Sequence, residues 1–306
     1  SGNDIESLPF KLPPLNEQRR IVAKLEKLLH RVDACKERLD KIPAILKRFR
    51  QSVLAAACSG RLTADWREKN PDCVGAPLAR RVQDPPLQSV DNDEELPNIP
   101  KAWKWSSIGN LSEVKGGKRL PKGAALETSN TGQPYIRATN LKNGTVTGEL
   151  LYVPNNIKSK IKNYIVRTGD VYITIVGACI GDAGTIPATS DGANLTENSA
   201  RIRGTSVCSS NFIATWLRSP ICQDVIQSKI LSAAQGKLAL FRIEQLQIPL
   251  PPLPEQQEIV RRVEALFKKA DEIESRYKKA KGFVDRLTQS ILAKAFRGEL
   301  VPQDPN

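Results

Sequence analysis

One segment of this chain is written twice. Residues 12–18 read Leu-Pro-Pro-Leu-Asn-Glu-Gln and residues 250–256 read Leu-Pro-Pro-Leu-Pro-Glu-Gln, an offset of 238 (250 − 12). The offset holds without a gap to Leu62 and Leu300, through identities such as Glu26/Glu264, Gln51/Gln289 and Gly60/Gly298, and it runs back to Ile5/Ile243 and Leu8/Leu246. A period this long is no solenoid unit. It implies a duplicated module, a globular piece followed by a helix, of which the chain carries one copy and part of another. A chain that begins inside its own repeat is expected to be a fragment.

Both copies share one grammar. A Pro-rich lead ends in Asn16-Glu17-Gln18 or Pro254-Glu255-Gln256. Asn16 suits an N-cap and Pro254 a first-turn position, and the acidic residues favour the positive end of a helix dipole. The apolar positions that follow are Ile21, Leu25, Leu28, Val32, Cys35, Leu39, Ile42, Leu46, Phe49 and Val53, in alternating steps of 4 and 3. The second copy repeats the register with Ile259, Val263, Leu266, Ala270, Ile273, Tyr277, Ala280, Val284, Leu287 and Ile291. This is an unbroken heptad. It predicts helices over 17–58 and 255–297, each about 60 Å long, whose stripes pack on each other. Burial is expected at Leu28 and Leu266. A duplicated module with two-fold pseudosymmetry pairs its helices antiparallel. Pro43 predicts a kink or short break in the first helix, and Ser59-Gly60 and Arg297-Gly298 predict the stops.

The formal charge is +13, unevenly spread. Residues 97–249 hold 18 Lys and Arg against 9 Asp and Glu, whereas residues 63–96 hold 4 against 8. The latter stretch, with Pro71, Pro77, Pro85, Pro86 and the run Asp91-Asn92-Asp93-Glu94-Glu95, reads as an acidic linker. Basic parts joined by an acidic linker fit a polyanion partner, most simply nucleic acid, or a basic but merely soluble surface.

Within 97–249, strand-like runs stand at 135–137, 150–153, 171–176, 183–186 and 200–203, with turns at Asn143-Gly144 and Gly169-Asp170. Helices are predicted over Ser210–Leu217 and Pro220–Ser228. The fold class is therefore α+β: a mixed α/β domain plus a long antiparallel coiled-coil helix pair. Its candidate DNA contacts sit in presumed loops. Lys115, Lys118, Arg119 and Lys122 surround Gly116-Gly117, where glycine would let backbone approach phosphate. Arg137 and Asn140 suit bidentate contacts to guanine and adenine edges, with Lys142 beside them. Gln235-Gly236-Lys237 and Arg242 form a third patch.

Catalytic motifs fail on inspection. Asp84-Pro85-Pro86-Leu87 lacks the aromatic ring that an amino-methyltransferase stacks on a flipped base. Gly177–Gly184 lacks a following Gly-Lys-Ser/Thr and reads as a hairpin turn. The six cysteines form no C-x-x-C pair, and His30 is the only histidine. No zinc site or Ser-His-Asp arrangement follows, and no metal or cofactor is expected. No apolar run approaches the roughly 18 residues of a membrane span.

Several of these motifs together resemble the specificity (S) subunit of Type I restriction–modification systems. The most specific is the Leu-Pro-Pro-Leu-x-Glu-Gln lead, present twice. Phe49–Ala57 and Leu287–Phe296 resemble the helix-terminal signature, Ile99–Trp105 the opening of a target recognition domain, and Gly169-Asp170-Val171 its central strand. The resemblance implies two recognition domains alternating with two helical regions. Each domain reads one half of a split site on double-stranded DNA. The helices fix the spacing and dock methyltransferase (M) subunits, and through them the restriction (R) subunit. It also implies a cytoplasmic protein with no catalytic site of its own. Here the first recognition domain is missing. The expected organisation is the tail of that domain with the Pro-rich lead (1–15), a central helix (16–62), the linker (63–96), a recognition domain (97–249) and a distal helix (250–306). Leu29 and Phe267, equivalent apolar residues just off the seam, are candidates for methyltransferase docking or for widening the helix–helix core. One such fragment reads one half-site, and two could pair as a homodimer on a palindrome. A fused restriction or methyltransferase enzyme whose catalytic part lies outside this chain is the alternative; residues 1–11 continue a recognition domain and favour the first reading.

Overall fold

A computed structural model of the protein describes residues 12–75, 97–231 and 236–303. The chain divides into two compact units, Ser1–Arg50 with Phe267–Asn306, and Gln51–Leu266. The long helices α1 (Leu15–Asp40), α2 (Ile42–Cys58) and α10 (Leu253–Phe296) carry the repeat. The predicted interruption is present: α1 ends at Asp40, and Pro43 lies in the first turn of the next helix, which opens at Ile42, so its missing N–H costs nothing. Gly60 (φ 77°) and Gly298 (φ 74°) stop the two copies in the left-handed region. Asn16 is not the cap, because α1 starts one residue earlier, at Leu15 after Pro14.

In the first unit the helices run antiparallel. Arg20 meets the Pro302 carbonyl, Lys36 meets Thr288, Asp40 meets Lys281, and Arg50 meets Asp271 and Glu274. Residue numbers rise along one helix as they fall along the other. Val32, Leu46, Ala270 and Ile291 of the seam are buried here, while Ile21, Leu25, Leu28, Leu39 and Tyr277 are half-buried. Expected burial fails at four positions. Ile273 is 48% exposed, and Cys35, Phe49 and Ala280 are also exposed. Two helices touch only along a narrow line. Phe49 and Ile273, which stand level beside the Arg50–Asp271 bond, both face outward.

The second unit holds the ends of α2 and α10 and the domain. Ile259 and Val263 are buried, and Leu266 is half-buried, less than expected. The start of the presumed linker is not extended: α3 (Ala64–Lys69) and α4 (Pro71–Gly75) are helices. The run Asp91–Glu95 and Asp84-Pro85-Pro86-Leu87 lie outside the described residues. Arg262 of α10 fastens the beginning of this stretch, donating to both Asp65 oxygens (2.6 and 3.0 Å) and to the Leu62 carbonyl (2.8 Å).

The domain opens with β1 (Lys104–Ser107), α5 (Ile108–Leu111) and β2 (Ser112–Gly116). Short strands follow: β3 (Pro134–Ile136), β4 (Leu141–Lys142), β5 (Thr145–Val146) and β6 (Leu151–Tyr152). Helix α6 (Lys158–Ile161) precedes β7 (Val171–Thr174), β8 (Ala183–Thr185), β9 (Asn194–Leu195) and β10 (Ser199–Gly204). The last elements are α7 (Ser210–Leu217), α8 (Pro220–Leu231), α9 (Leu240–Glu244) and β11 (Gln247–Leu250). An antiparallel sheet runs β2-β10-β7-β8, a second runs β6-β3-β9 with β3 and β9 parallel, and β4-β5 is a hairpin. The turn at 175–182 joins antiparallel β7 and β8, as its glycines predict. Strand β1 pairs with β11, Lys104 opposite Leu250, so the first and last strands lie side by side. Asp170, buried behind Gly169, accepts two bonds from Arg203 of β10 (both 2.7 Å) and one from the Arg167 N–H (2.8 Å). The predicted turn is thus also a clamp between strands.

Candidate nucleic-acid interface

Two apolar clusters organise the basic residues. The first is Tyr135, Val153, Ile157 and Ile161, with Leu120, Ala124, Leu126 and Tyr164 packed on it. It gathers three stretches of chain. Lys115 leaves β2, Lys118 and Lys122 follow in the loop, and Lys158, Lys160 and Lys162 alternate with Ile157 and Ile161 on and around α6. Burial of the two isoleucines turns the flanking lysines outward; Lys160 and Lys162 are exposed. The ammonium groups of Lys115 and Lys118 each lie 5.6 Å from the centre of the Tyr164 ring. The ring's negative face holds two like charges close together. Lys158 donates to the Thr131 carbonyl.

Gly117 has a different task from the one its sequence suggests. Its N–H bonds the Ser199 carbonyl (2.8 Å), the next N–H, from Lys118, bonds the Leu195 carbonyl (2.8 Å), and a Cβ on Gly117 would overlap the Leu195 and Thr196 oxygens. The close approach is to the domain's own backbone. It fixes the root of the lysine-bearing loop. Arg119 donates to Glu197 (2.6 Å), and this hydrogen bond raises its pKa while pairing its charge.

The second cluster, Ile136, Leu141, Val166, Tyr172, Ile186, Ala193 and Leu195, with Val146 and Leu150 packed on it, carries Arg137, Asn140 and Lys142. Asn140 is not placed to read a base. It is 3% exposed; its Oδ1 accepts from the Arg137 N–H (3.1 Å), and its Nδ2 donates to the Thr147 and Glu149 carbonyls (3.0 and 3.1 Å). A buried amide with these bonds is a fastener for the loop. Arg137 is half-buried and also donates to the Glu149 carbonyl (3.3 Å). Lys142 is exposed beside the Asn143-Gly144 turn, where both residues take positive φ (56° and 79°). Lys237 is exposed next to fully buried Leu238, Arg242 donates to the Lys229 carbonyl, and Gln235 lies outside the described residues. The eight candidate contacts therefore do not form one patch.

Tyr164 and the lysines before it escaped the sequence reading. The signal was there, in Lys158-x-Lys160-x-Lys162-x-Tyr164, but only the fold brings it against Lys115 and Lys118. On the helix pair, the open apolar surface is also not where the repeat points: Leu29 and Phe267 are half-buried, whereas Ile45, Phe49 and Ile273 are exposed. Among the described residues, no group of three or more His, Cys, Asp or Glu could hold a metal, and no helix is long and apolar enough to cross a membrane.

Comparison with known proteins gives one family. A family model described as the Type I restriction modification DNA specificity domain matches residues 100–281. The EcoBI specificity subunit of Escherichia coli is 36% identical over 307 residues, covering 99% of this chain and 60% of the relative. The EcoDI specificity subunit is 34% identical over 313 residues, covering 98% and 64%. The chain thus spans under two-thirds of these relatives. A chain from the structure of a type I R-M system superposes with TM-score 0.69 at 21% identity, covering 98% of this chain and 64% of that one. The HsdS subunit from Thermoanaerobacter tengcongensis gives 0.56 at 20%, covering 98% and 63%. At these identities the likeness is one of fold.

Proposed function

Because this chain belongs to the Type I restriction modification DNA specificity domain family, we propose that it is a non-catalytic DNA-recognition unit. Residues 97–249 read one half of a bipartite duplex site. The helix pair sets the spacing between halves and carries methyltransferase subunits, which in turn bring the restriction subunit. The observation that carries the DNA reading is the pairing of Lys115 and Lys118 over Tyr164, on a cluster that also presents Lys160 and Lys162. These four cations, drawn from two separate segments, supply a phosphate-binding surface, and the ring supplies a face for sugar or base. Arg137, Lys142 and Lys237 serve at its margins. For the methyltransferase we favour the open surface of Ile45, Phe49 and Ile273 over Leu29 and Phe267, which the helices already half cover.

The test is selection from a randomised duplex pool, with and without the cognate methyltransferase subunit. The selected sequences should share one half-site, and Lys118→Glu with Tyr164→Ala should abolish enrichment in a folded chain. Undiminished enrichment by that double variant would refute the assignment of this face. Loss of co-purification with Phe49→Glu, but not Leu29→Glu, would locate the docking surface.

A further inference from the structure

Strand β10 carries a polar deficit on one face. Side chains alternate along a strand, so Ser199 and Arg201 point the same way. Both are buried (0% and 8% exposed), and among the described residues the Ser199 hydroxyl and the Arg201 Nε–H have no hydrogen-bond partner. The rest of the guanidinium is occupied. Nη1 donates to the Ile165 carbonyl (3.1 Å), and Nη2 donates to Glu113 (2.8 Å), whose side chain is 59% exposed. A buried donor left without an acceptor is destabilising.

Cations converge on the same place. Arg201 stands directly opposite Lys115 of β2, and like charges opposite one another across strands repel. Lys118 adds a third charge, since its ammonium and that of Lys115 each lie 5.6 Å from the centre of the Tyr164 ring. Among the described residues, Glu113 is the only carboxylate bonded to any of the three. A recess of about 10 Å³ is lined by Lys115, Gly116, Gly117, Tyr164, Leu195 and Arg201. That is room for one oxygen atom, as a single water would need.

We infer that this recess is a seat for one phosphate group. One phosphate oxygen enters it and accepts from Arg201 Nε, while the others face the ammonium groups of Lys115 and Lys118. The lysine stems are the movable part of the lining, flexible chains with rotatable donors. They part to admit the oxygen and close over the rest of the group. A tetrahedral anion can fill the recess with one oxygen and still reach both lysines; a carboxylate has two oxygens for three cations. The inference rests on the DNA reading of this face for the source of the phosphate, a backbone phosphodiester. It turns a basic surface into a fixed point: one phosphate of the duplex is held at one place, and that sets the register in which bases are met.

The experiment has two arms. In the first, the chain without DNA is titrated with inorganic phosphate, exchanged for chloride at constant ionic strength. The Arg201 Nε–H resonance should shift and saturate, and the unfolding midpoint should rise with phosphate. Lys115→Gln with Lys118→Gln, at the rim, should weaken this binding about tenfold or more in a folded chain. Arg201→Lys keeps the charge but lacks Nε, and should abolish saturation. An Arg201 resonance that ignores phosphate, or that saturates equally in wild type and the double lysine variant, overturns the seat even where duplex binding is intact. In the second arm, a duplex enriched by the chain carries one uncharged methylphosphonate linkage at successive positions. A loss of about tenfold or more at one position, with small losses elsewhere, puts a backbone phosphate in the seat. A saturable Arg201 shift without such a position keeps the seat for a free phosphate, and the DNA reading of this face falls alone.

Discussion

Asn140 holds the loop from Arg137 to Glu149 closed with both ends of its amide. Asn140 is itself 3% exposed, and removing it takes away the bonds that tie the Arg137 N–H and the Thr147 and Glu149 carbonyls together, so Asn140→Ala should destabilise the chain by about 1–3 kcal/mol. The selected DNA sequence should stay the same. Thermal unfolding and duplex selection on the same sample check both halves; a shifted base preference with unchanged stability would restore Asn140 as a reader. The sequence offers Arg137 and Asn140 at a spacing that suits base edges. It does not show that the chain returns at Thr147 and Glu149 to occupy that amide. Tyr164 shows the reverse. Its chemistry was legible, and its neighbours, 46 and 49 residues back (164 − 118 and 164 − 115), were not. Gly117 combines both cases: the need for close approach was visible, but the object approached was not.

The heptad made the helices legible, the duplication their antiparallel sense, and Pro43 the break. Exposure along the seam was not legible: Ile291 is 8% exposed and Ile273 48%. Ile291→Ala, at a buried position, should therefore cost about 2–5 kcal/mol, whereas Ile273→Ala should cost roughly 0.5 kcal/mol or less. Denaturant titration separates them, and similar costs would show that Ile273 packs as tightly as Ile291. The short strands were harder. β1, β2, β9 and β11 have two to five residues, too few for alternation to show, and their pairing is decided by partners remote in sequence. On α10, Glu258 accepts from Arg261 (2.7 Å) and Arg262 (2.5 Å), and these bonds, Arg261 first, lower its pKa from 4.5 to about 2. A carboxyl held low when folded adds stability above its unfolded value and loses it as pH falls through the folded one. Wild type should thus melt above Glu258→Gln at pH values over 4.5, and the gap should close as pH falls toward about 2. A gap independent of pH would mean the ion pairs contribute nothing.

Over the whole molecule, charge was visible as +13, while its grouping into one lysine–tyrosine face was not. If that face meets phosphates, binding must weaken with salt, and each lost contact should lower the log–log slope by about 0.9. Lys118→Ala and Lys160→Ala should each do so, in titrations of a fixed duplex against salt. Asn140→Ala should leave the slope alone. A slope unchanged by both lysine variants would move the binding surface elsewhere.

Because Lys104 pairs with Leu250, the chain enters and leaves the domain side by side. A body whose chain enters and leaves at adjacent points can be lifted out and replaced without disturbing what flanks it. Everything between Ser107 and Gln247 can then be exchanged as one block, with the helices on either side left in place.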